Sequence, residues 1–372
     1  MENVIEPENY VCTDLLVKLA SRCNINCSYC YWFKDPSVYD LPAIMTESVE
    51  EALCTQLKAH INTYHLKTFL IGFHGGEPML FGLKRFRRFM NKLSEIAIQT
   101  NCRIRYSIMT NGILITEEWI NFFKEFQIGV GISLDGPRKF NDANRIDFKG
   151  NGTYDRITEK IRLLQTNGIE PGIISVFSTA LNGMEIIDFF VEQVGVKQFD
   201  VLIPDATYRD TVQPIAVFYK DLFDDWYDSH ANSGVTIRII SSMVKGLLGG
   251  QSNSITLGLG AITTVTISTD GSIEGLDVMR VLGKGAVTSS LNIQTDPIQA
   301  VQGNDLWSKI RSASLNVNAR CKKCEFLNAC GGGPIVSRWS AENEFDNASI
   351  YCDDLKEIFG HVWKRLKEDI YV

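Results

Sequence analysis

Short apolar runs alternate with longer amphipathic stretches over residues 15–230. The runs are rich in Val, Ile and Phe and are bounded by Gly, Asn, Asp or Pro. They predict six strands, at residues 15–20, 69–73, 104–109, 128–134, 172–177 and 199–203. The stretches between them predict helices at 46–64, 83–98, 116–126, 153–167, 183–194 and 213–230, with Thr46, Thr116 and Thr153 as start signals. Six strand-then-helix units imply a parallel sheet, and eight are needed to close a barrel, so the pattern predicts an α/β fold with a partial (β/α)6 TIM-type barrel.

The character of the chain changes near residue 232. Residues 231–234 (Ala-Asn-Ser-Gly) look like a joint, and residues 246–260 are rich in Gly, Ser and Asn. Asp270-Gly271 lies between two β-type runs, at 265–268 and 272–276, and predicts a hairpin. Helical patterns follow near 296–313 and from 353 to about 367. We therefore predict a barrel domain over 1–232 and a smaller domain of hairpin plus helices over 233–372.

The composition is that of an ordinary soluble globular protein, with 372 residues, 45% hydrophobic and 22% charged. A net charge of −7 argues against a nucleic-acid partner and against a polybasic membrane contact. The chain opens without a basic and apolar signal segment and has no apolar run of transmembrane length, so we expect a cytoplasmic protein. Seven of the ten cysteines fall into two tight groups. In a cytosolic chain of this size, such grouping indicates metal binding rather than disulfide bonds.

The first cysteine group directly follows the first predicted strand. Cys23, Cys27 and Cys30 are spaced as Cys-x3-Cys-x2-Cys, with Tyr29 before the last cysteine. Three thiolates can hold one soft-metal centre and leave one coordination position open for chemistry. The alternatives are a zinc loop completed by a distant histidine, or three free thiols.

Three more motifs follow the second, third and fourth predicted strands. They are Gly75-Gly76-Glu77-Pro78, Thr110-Asn111-Gly112 and Ser133-Leu134-Asp135-Gly136-Pro137, with Arg145 a little further on. Each could be only a turn, and Arg145 could lie on a solvated face. However, α/β barrels gather their active sites at the C-terminal ends of the strands, where all these motifs lie. A double glycine also lets the backbone approach a ligand closely.

The second cysteine group lies near the C-terminus. Cys321, Cys324, Cys330 and Cys352 provide four thiolates, enough to close a site for an iron–sulfur cluster or for a structural zinc ion. The three remaining cysteines are predicted to be small buried hydrophobic residues: Cys12, Cys54 and Cys102.

With these motifs the chain resembles the radical S-adenosylmethionine (SAM) enzymes. The resemblance implies that Cys23, Cys27 and Cys30 hold a 4Fe–4S cluster that binds SAM through its open iron. It also implies that Gly75, Gly76 and Glu77 contact the methionine moiety of SAM, with Glu77 accepting a hydrogen bond from its ammonium group. Ser133 and Arg145 are implied to bind the ribose and the carboxylate of the cofactor. Tyr29 and Asp135, inside the same motifs, complete the predicted cofactor site.

The C-terminal cysteines resemble the SPASM/twitch extension of radical enzymes that modify peptides. Two cysteines of the full version are replaced here, by Leu276 and Pro334, and no cysteine occurs between Cys102 and Cys321. We therefore expect one auxiliary 4Fe–4S cluster, and two clusters in all.

Within that group the chain is most similar to maturases that build three-residue cyclophanes in ribosomally made peptides, through residues 202–207, 275–280, 338–340 and 345–347. The resemblance implies a bond between an aromatic ring carbon and a nearby side-chain β-carbon, with a precursor peptide as partner and a reductant such as flavodoxin or ferredoxin. The alternatives are formylglycine formation, a thioether cross-link, or a cluster-carrying electron-transfer protein without radical chemistry.

Removing the last proton from such a product requires a base. The resemblance to sulfatase-maturing enzymes points to Asp277, with Glu274 and Asp205 in reserve. A carboxylate facing a dry cavity is expected to have a raised pKa, which makes it a better base. Alternatively, Asp277 could cap a turn or pair with Arg280.

Overall fold

The computed structural model describes residues 10–252, 256–260 and 262–370. They form two compact units. The first takes in the described residues of Met1–Ser133, Asn144–Pro171 and Thr263–Arg311; the second takes in those of Leu134–Ala143, Gly172–Ile262 and Ser312–Val372. Both units draw on segments from either side of residue 232, so the division into 1–232 and 233–372 stays a prediction about sequence modules. The chain start that suggested a cytoplasmic protein lies outside the described residues.

Ten strands are present in the described chain. They are β1 (Asp14–Ala20), β2 (Thr68–Gly75), β3 (Arg103–Thr110), β4 (Ile128–Ser133), β5 (Gly172–Val176), β6 (Gln198–Leu202), β7 (Thr236–Ile237), β8 (Thr264–Ile267), β9 (Ser272–Glu274) and β10 (Leu291–Asn292). All six strands predicted from the apolar runs are found, with bounds shifted by at most two residues.

The α-helices lie mostly between the strands. They are α1 (Tyr31–Lys34), α2 (Glu47–Tyr64), α3 (Leu83–Thr100), α4 (Glu117–Glu125), α5 (Arg138–Asn144), α6 (Tyr154–Thr166), α7 (Gly183–Ile187), α8 (Ala216–Asp225), α9 (Arg238–Leu247), α10 (Asp305–Leu315), α11 (Ala319–Lys322), α12 (Leu327–Cys330) and α13 (Cys352–Ile370). Two predicted helices continue as π-helical turns, at Asp188–Gln193 after α7 and at Trp226–His230 after α8.

The sheet of the first unit runs in the order β10-β9-β8-β1-β2-β3-β4. β1 to β4 are parallel, as predicted, with Leu15 opposite Ile71 and Phe73 opposite Ile108. The predicted hairpin is confirmed, because β8 and β9 pair antiparallel. Its position was not predicted: β8 adds to the sheet in parallel beside β1.

In the second unit β5, β6 and β7 are parallel to one another. β7 and α9 were missed; they lie mostly between residues 231–234, which suggested a joint, and the Gly-, Ser- and Asn-rich residues 246–260. Asp200 of β6 fixes this corner, because its carboxylate accepts hydrogen bonds from Arg238 Nε (2.6 Å) and from the Ile239 backbone N–H (3.0 Å).

The helix caps agree with the sequence in part. Thr46 Oγ1 accepts a hydrogen bond from the Val49 N–H at 3.3 Å, so this predicted N-cap is confirmed. Thr116 and Thr153 also stand at the N-cap positions of α4 and α6, so these start signals are confirmed, although neither side chain makes a cap hydrogen bond. The Thr153 hydroxyl instead donates to the Arg145 carbonyl at 2.8 Å. No helix in the described part of the chain is long and apolar enough to cross a membrane.

Candidate active site

The first cysteine loop joins β1 to α1. Cys23, Cys27 and Cys30 are all partly exposed. Burial raises the pKa of the Cys23 thiol to about 12, and the nearby Glu77, Cys27 and Cys30 add to that effect. A thiol whose ionisation is disfavoured in this way needs an added positive charge to become a thiolate, and a bound iron–sulfur cluster supplies it. The donor set therefore fits the predicted cluster.

Two side-chain donors approach the sulfur atoms of this loop. Asn111 Nδ2 lies 3.7 Å from Cys23 Sγ, and Arg145 Nη1 lies 3.8 Å from Cys27 Sγ. Hydrogen bonds to the sulfurs are one of the means by which a protein tunes such a cluster. The Arg145 guanidinium also lies over the Tyr29 ring, 5.6 Å from its centroid. Arg145, Tyr29 and the cysteines are thus brought together as the resemblance implied.

The two glycines at the end of β2, Gly75 and Gly76, have a physical reason that the sequence did not show. A Cβ on Gly75 would lie 2.1 Å from the Ala20 carbonyl oxygen, and one on Gly76 would lie 2.3 Å from that of Arg22. The backbone of Gly76 and Glu77 bonds to the same stretch, to Ala20 and Arg22, at 2.8 Å each. The double glycine lets two backbones meet at the root of the cysteine loop, so close approach to a ligand is not needed to explain it.

Glu77 is fully buried and holds two motifs together. Its Oε1 accepts from the Met79 N–H (3.0 Å) and the Thr110 hydroxyl (2.7 Å), and its Oε2 accepts from the Asn111 N–H (2.9 Å). Each of these bonds is internal to the protein. Glu77 thus orients the Thr110-Asn111 turn toward Cys23, and its contact with a cofactor ammonium stays a prediction.

The Ser133 to Pro137 motif straddles the two units. In the first unit, Ser133 Oγ lies 3.9 Å from Met109 Sδ. In the second, Asp135 is buried, and its Oδ1 accepts from the Val176 N–H at 3.4 Å. Their contacts with cofactor stay predictions.

Asp277 is the centre of a buried polar cluster in the first unit. Its Oδ2 accepts from Lys18 Nζ at 2.5 Å and from the Tyr31 hydroxyl at 2.6 Å. Lys18 is fully buried, and its Nζ also lies 3.3 Å from His74 Nδ1. Because Nδ1 also accepts from the Gly75 N–H at 2.9 Å, the neutral His74 carries its proton on Nε2.

The predicted rise in the pKa of Asp277 is wrong. Burial does raise it, but the charge of Lys18, the neighbouring His74 and the hydrogen bonds from Lys18 and Tyr31 together hold the pKa below its usual range. Burial and the adjacent ammonium also lower the pKa of His74 to about 3. At neutral pH the cluster therefore contains a carboxylate, an ammonium and a neutral imidazole.

A second buried ion cluster includes Glu274 and Arg280, which flank in sequence the position where the full SPASM pattern has a cysteine. Leu276 itself is buried. Arg280 does not pair with Asp277; its guanidinium bonds Asp35 Oδ2 at 2.9 Å and Glu274 Oε1 at 2.5 Å, and it stacks 4.3 Å from the Trp32 ring centroid. Glu274 is held in this ion pair, yet burial raises its pKa above the usual range, and its role as a reserve base stays a prediction.

The four C-terminal cysteines line one cavity of the second unit. Its empty volume is about 400 Å³, opening included, and its walls include Cys321, Cys324, Cys330 and Cys352. Burial raises the pKa of Cys330 to about 12, and the Gly332 N–H bonds its sulfur and opposes that rise. Four mutually close thiols around one space fit the predicted auxiliary cluster.

No group of three or more His, Cys, Asp or Glu side chains in the described ranges meets the geometry for a single metal ion. The assignment of both cysteine sets therefore rests on their spacing, their shared surroundings and the family described below.

Asp205, the other reserve base, belongs to the second unit, just after β6. Burial raises the pKa of the Tyr351 phenol, and the nearby charge of Asp205 raises it further.

Sequence reasoning missed Lys18, Tyr31 and His74. The available signal was Lys18 itself, a lysine inside the otherwise apolar run Leu15–Ala20.

Comparison with known proteins shows what the chain is similar to. The radical SAM superfamily pattern matches residues 17–189. The chain is 29% identical to the cysteine-type anaerobic sulfatase-maturating enzyme of Clostridium perfringens, over 95% of this chain and 96% of that one. It is 24% identical to the serine-type enzyme of Bacteroides thetaiotaomicron, over 91% and 86%.

Solved structures agree on the fold. Native anSMEcpe with bound AdoMet and the Cp18Cys peptide superposes with a TM-score of 0.83 at 27% identity, covering 95% of this chain and 98% of that one. Streptococcus suis SuiB, bound to the precursor peptide SuiA, gives 0.64 at 17% identity, over 93% and 77%. The predicted α/β fold of partial TIM-barrel type is confirmed.

Residues 17–189 match the radical SAM superfamily, and the chain is similar over nearly its whole length to anaerobic sulfatase-maturating enzymes. This confirms the predicted cofactors, SAM and 4Fe–4S clusters. The alternative of an electron-transfer protein without radical chemistry is set aside.

Proposed function

We propose that the protein is a peptide maturase that joins an aromatic ring carbon to a nearby side-chain β-carbon within a ribosomally made precursor. The observation that carries this proposal is the ion cluster around Arg280. Glu274 and Arg280, close to Leu276 in sequence, pair with each other, and Arg280 also pairs with Asp35. Buried Leu276 stands at the sequence position of one auxiliary cluster ligand, and Pro334 stands at that of another. This departs from the two-auxiliary-cluster pattern typical of sulfatase maturation and agrees with the cyclophane group.

A peptide substrate is supported by the relatives. Anaerobic sulfatase-maturating enzymes are similar to this chain over 95% of its length, and anSMEcpe was solved with a bound peptide. We carry that substrate class to this chain as part of the proposal. A cytoplasmic location and a reductant such as flavodoxin or ferredoxin belong to it too, since thiolate-held clusters require reducing conditions.

The two cysteine groups have different roles in the proposed reaction. When bound at the first cluster, SAM supplies a 5′-deoxyadenosyl radical that takes a hydrogen atom from an unactivated carbon. Cys23, Cys27 and Cys30 would hold that cluster. The C-terminal cysteines would hold a one-electron acceptor. The substrate loses one hydrogen atom, forms the ring-to-Cβ bond, and then loses one proton and one electron to recover aromaticity.

Asp277 is the group to which we assign that proton. Lys18 keeps it ionised at neutral pH, so it is always in the accepting form. Its pKa is low, which makes it a weak base. However, a ring carbon that regains aromaticity on deprotonation is a strong acid, and a weak base in reach is sufficient for it. The hydrogen bonds from Lys18 and Tyr31 both go to Oδ2, so Oδ1 is the oxygen that would accept the substrate proton.

Formylglycine formation is the second candidate, because the named relatives over the full length are sulfatase-maturating enzymes. The likeness to SuiB, at 17% identity, concerns the fold alone and does not favour a thioether cross-link.

The two candidates separate in one experiment. The reconstituted, reduced enzyme is offered a peptide with aromatic-x-polar triplets and, separately, a sulfatase-type peptide with Cys or Ser at the reactive position. We expect 5′-deoxyadenosine and a loss of two hydrogens in the aromatic peptide, with no aldehyde in the other. Aldehyde formation, detected with a hydrazide probe, together with an unchanged aromatic peptide, would overturn the proposal. Cys23→Ala is the matched control and should abolish cofactor cleavage.

A further inference from the structure

Arg338 is a fully buried arginine beside the C-terminal cysteine cavity, with 1% of its surface exposed. Its Nη2 donates to the Ala313 carbonyl. Its Nε and Nη1 are buried and have no hydrogen-bond partner among the described residues. Of the described carboxylates, Asp346 acts on it electrostatically, after Cys321 and Cys330, but forms no ion pair with it. A buried guanidinium with two unused donors and no ion-paired carboxylate is costly, so such a group ordinarily has a partner.

The position of Arg338 indicates where that partner is. A Cβ on Gly332 would lie 3.1 Å from Arg338 Nη1, and Gly332 lines the cavity formed by the four cysteines. The guanidinium therefore lies directly beside Gly332, a residue of the cavity wall. The same residue's N–H bonds the Cys330 sulfur, and Arg338 acts electrostatically on Cys321 and Cys330.

We propose that Arg338 is the counter-charge of the auxiliary cluster and sets its reduction potential. This rests on the proposed assignment of the C-terminal cysteines to a 4Fe–4S cluster. Such a cluster with four thiolates carries net negative charge and gains one more on reduction. A buried cation stabilises the reduced form more than the oxidised form, and a low dielectric strengthens the effect. Arg338 thus makes the cluster a better acceptor for the electron that substrate oxidation releases.

Arg320 provides a matched comparison on the same cavity. It also lines the space between the cysteines, and it acts electrostatically on Cys352 and Cys321. Its side chain is 52% exposed, however, and it pairs with Asp353 at 2.5 Å. Solvent and salt screen an exposed, paired charge, so Arg320 should have little effect on the potential.

The test is an EPR-monitored redox titration of the fully loaded chain and of Arg338→Gln, Arg338→Lys and Arg320→Gln. The signal that SAM does not perturb is the auxiliary cluster. At a fixed potential we expect Arg338→Gln to lower the reduced-to-oxidised ratio at least tenfold, equivalent to about 59 mV for one electron. Arg338→Lys should recover most of the loss, and Arg320→Gln should change the ratio less than threefold.

Iron and sulfide analysis precedes each titration and separates the possible failures. An intact cluster with an unchanged ratio in Arg338→Gln overturns the proposal, as does an equal shift in Arg320→Gln. If Arg338→Gln cannot hold the cluster but Arg338→Lys can, a cation is required there and the proposal stands; loss in both shows a packing role and refutes it. Zinc instead of iron in the unaltered chain would refute the cluster assignment itself, independently of Arg338.

Discussion

The pair Lys18–Asp277 gives the sharpest test of the buried cluster. Lys18→Met keeps the length of the side chain and removes its charge. Lys18 is 0% exposed and Asp277 15% exposed, and their charged atoms are 2.5 Å apart. Removing one member of a buried pair leaves the other charge uncompensated, which costs about 3–5 kcal/mol. The partial exposure of Asp277 places the expected loss near 3 kcal/mol.

The loss should depend on pH. In the unaltered protein the pKa of Asp277 is held below its unfolded value of about 3.9, so the pair stabilises the fold above that pH and ceases to do so in strong acid. In Lys18→Met the ammonium is absent and burial dominates, so the pKa rises above the unfolded value. The stability difference between the two proteins should therefore be largest at pH 7 and shrink toward pH 4.

The assay is anaerobic urea unfolding of the cluster-loaded proteins in a double-mutant cycle of Lys18→Met, Asp277→Asn and both together. The double variant contains no uncompensated charge, so it should be more stable than Lys18→Met alone by about 1–3 kcal/mol. Arg88→Met is the control: its pair with Glu47 is exposed on both sides (60% and 70%) and should cost at most about 1 kcal/mol. Additive losses, or a loss below about 1 kcal/mol for Lys18→Met, would refute the buried ion pair.

Three further outcomes are expected. Arg145→Ala should leave the iron content unchanged and weaken SAM binding by about 10- to 150-fold, measured by equilibrium binding to the oxidised protein, since a charge-assisted contact contributes about 1.5–3 kcal/mol; unchanged affinity would remove Arg145 from the cofactor site. Cys352→Ala should reduce about eight irons and eight sulfides per chain to about four of each by chemical analysis, and a preparation with twelve irons before mutation would point to a third cluster. Gly76→Ala should lose the first cluster while the EPR signal of the auxiliary cluster persists, because its Cβ would lie 2.3 Å from the Arg22 carbonyl oxygen. A normal SAM-responsive EPR signal would contradict that reason.

The strands and the metal chemistry could be predicted because both are local in sequence. Strands buried on both faces read as apolar runs, and three cysteines within eight residues define one loop whatever surrounds them. The hairpin at Asp270-Gly271 was found for the same reason. The pairing of β8 with β1 was not predicted, because the local sequence does not show which strand a hairpin pairs with.

The electrostatics of the site could not be predicted, because its partners are far apart along the chain. Lys18 and Asp277 are separated by 259 residues, and Arg280 and Asp35 by 245. Burial of Asp277 was foreseen from its position, but the sign of its pKa shift depends on the ammonium, which only the fold places there. The double glycine was likewise recognised, whereas the backbone that requires it comes from the preceding strand.

The most direct measurement uses a peptide deuterated at the β-carbon of the residue two positions after its aromatic residue. Reaction with the reconstituted enzyme and SAM should place deuterium in 5′-deoxyadenosine and yield a peptide two hydrogens lighter, whose NMR spectrum shows a bond from that β-carbon to the ring. Asp277→Asn should still cleave SAM but form cross-linked peptide at least about 100-fold more slowly, with Asp205→Asn near normal. If 5′-deoxyadenosine contains no deuterium from this peptide, cyclophane formation is contradicted. The same holds if it acquires deuterium only from a sulfatase-type peptide labelled at its Cys or Ser.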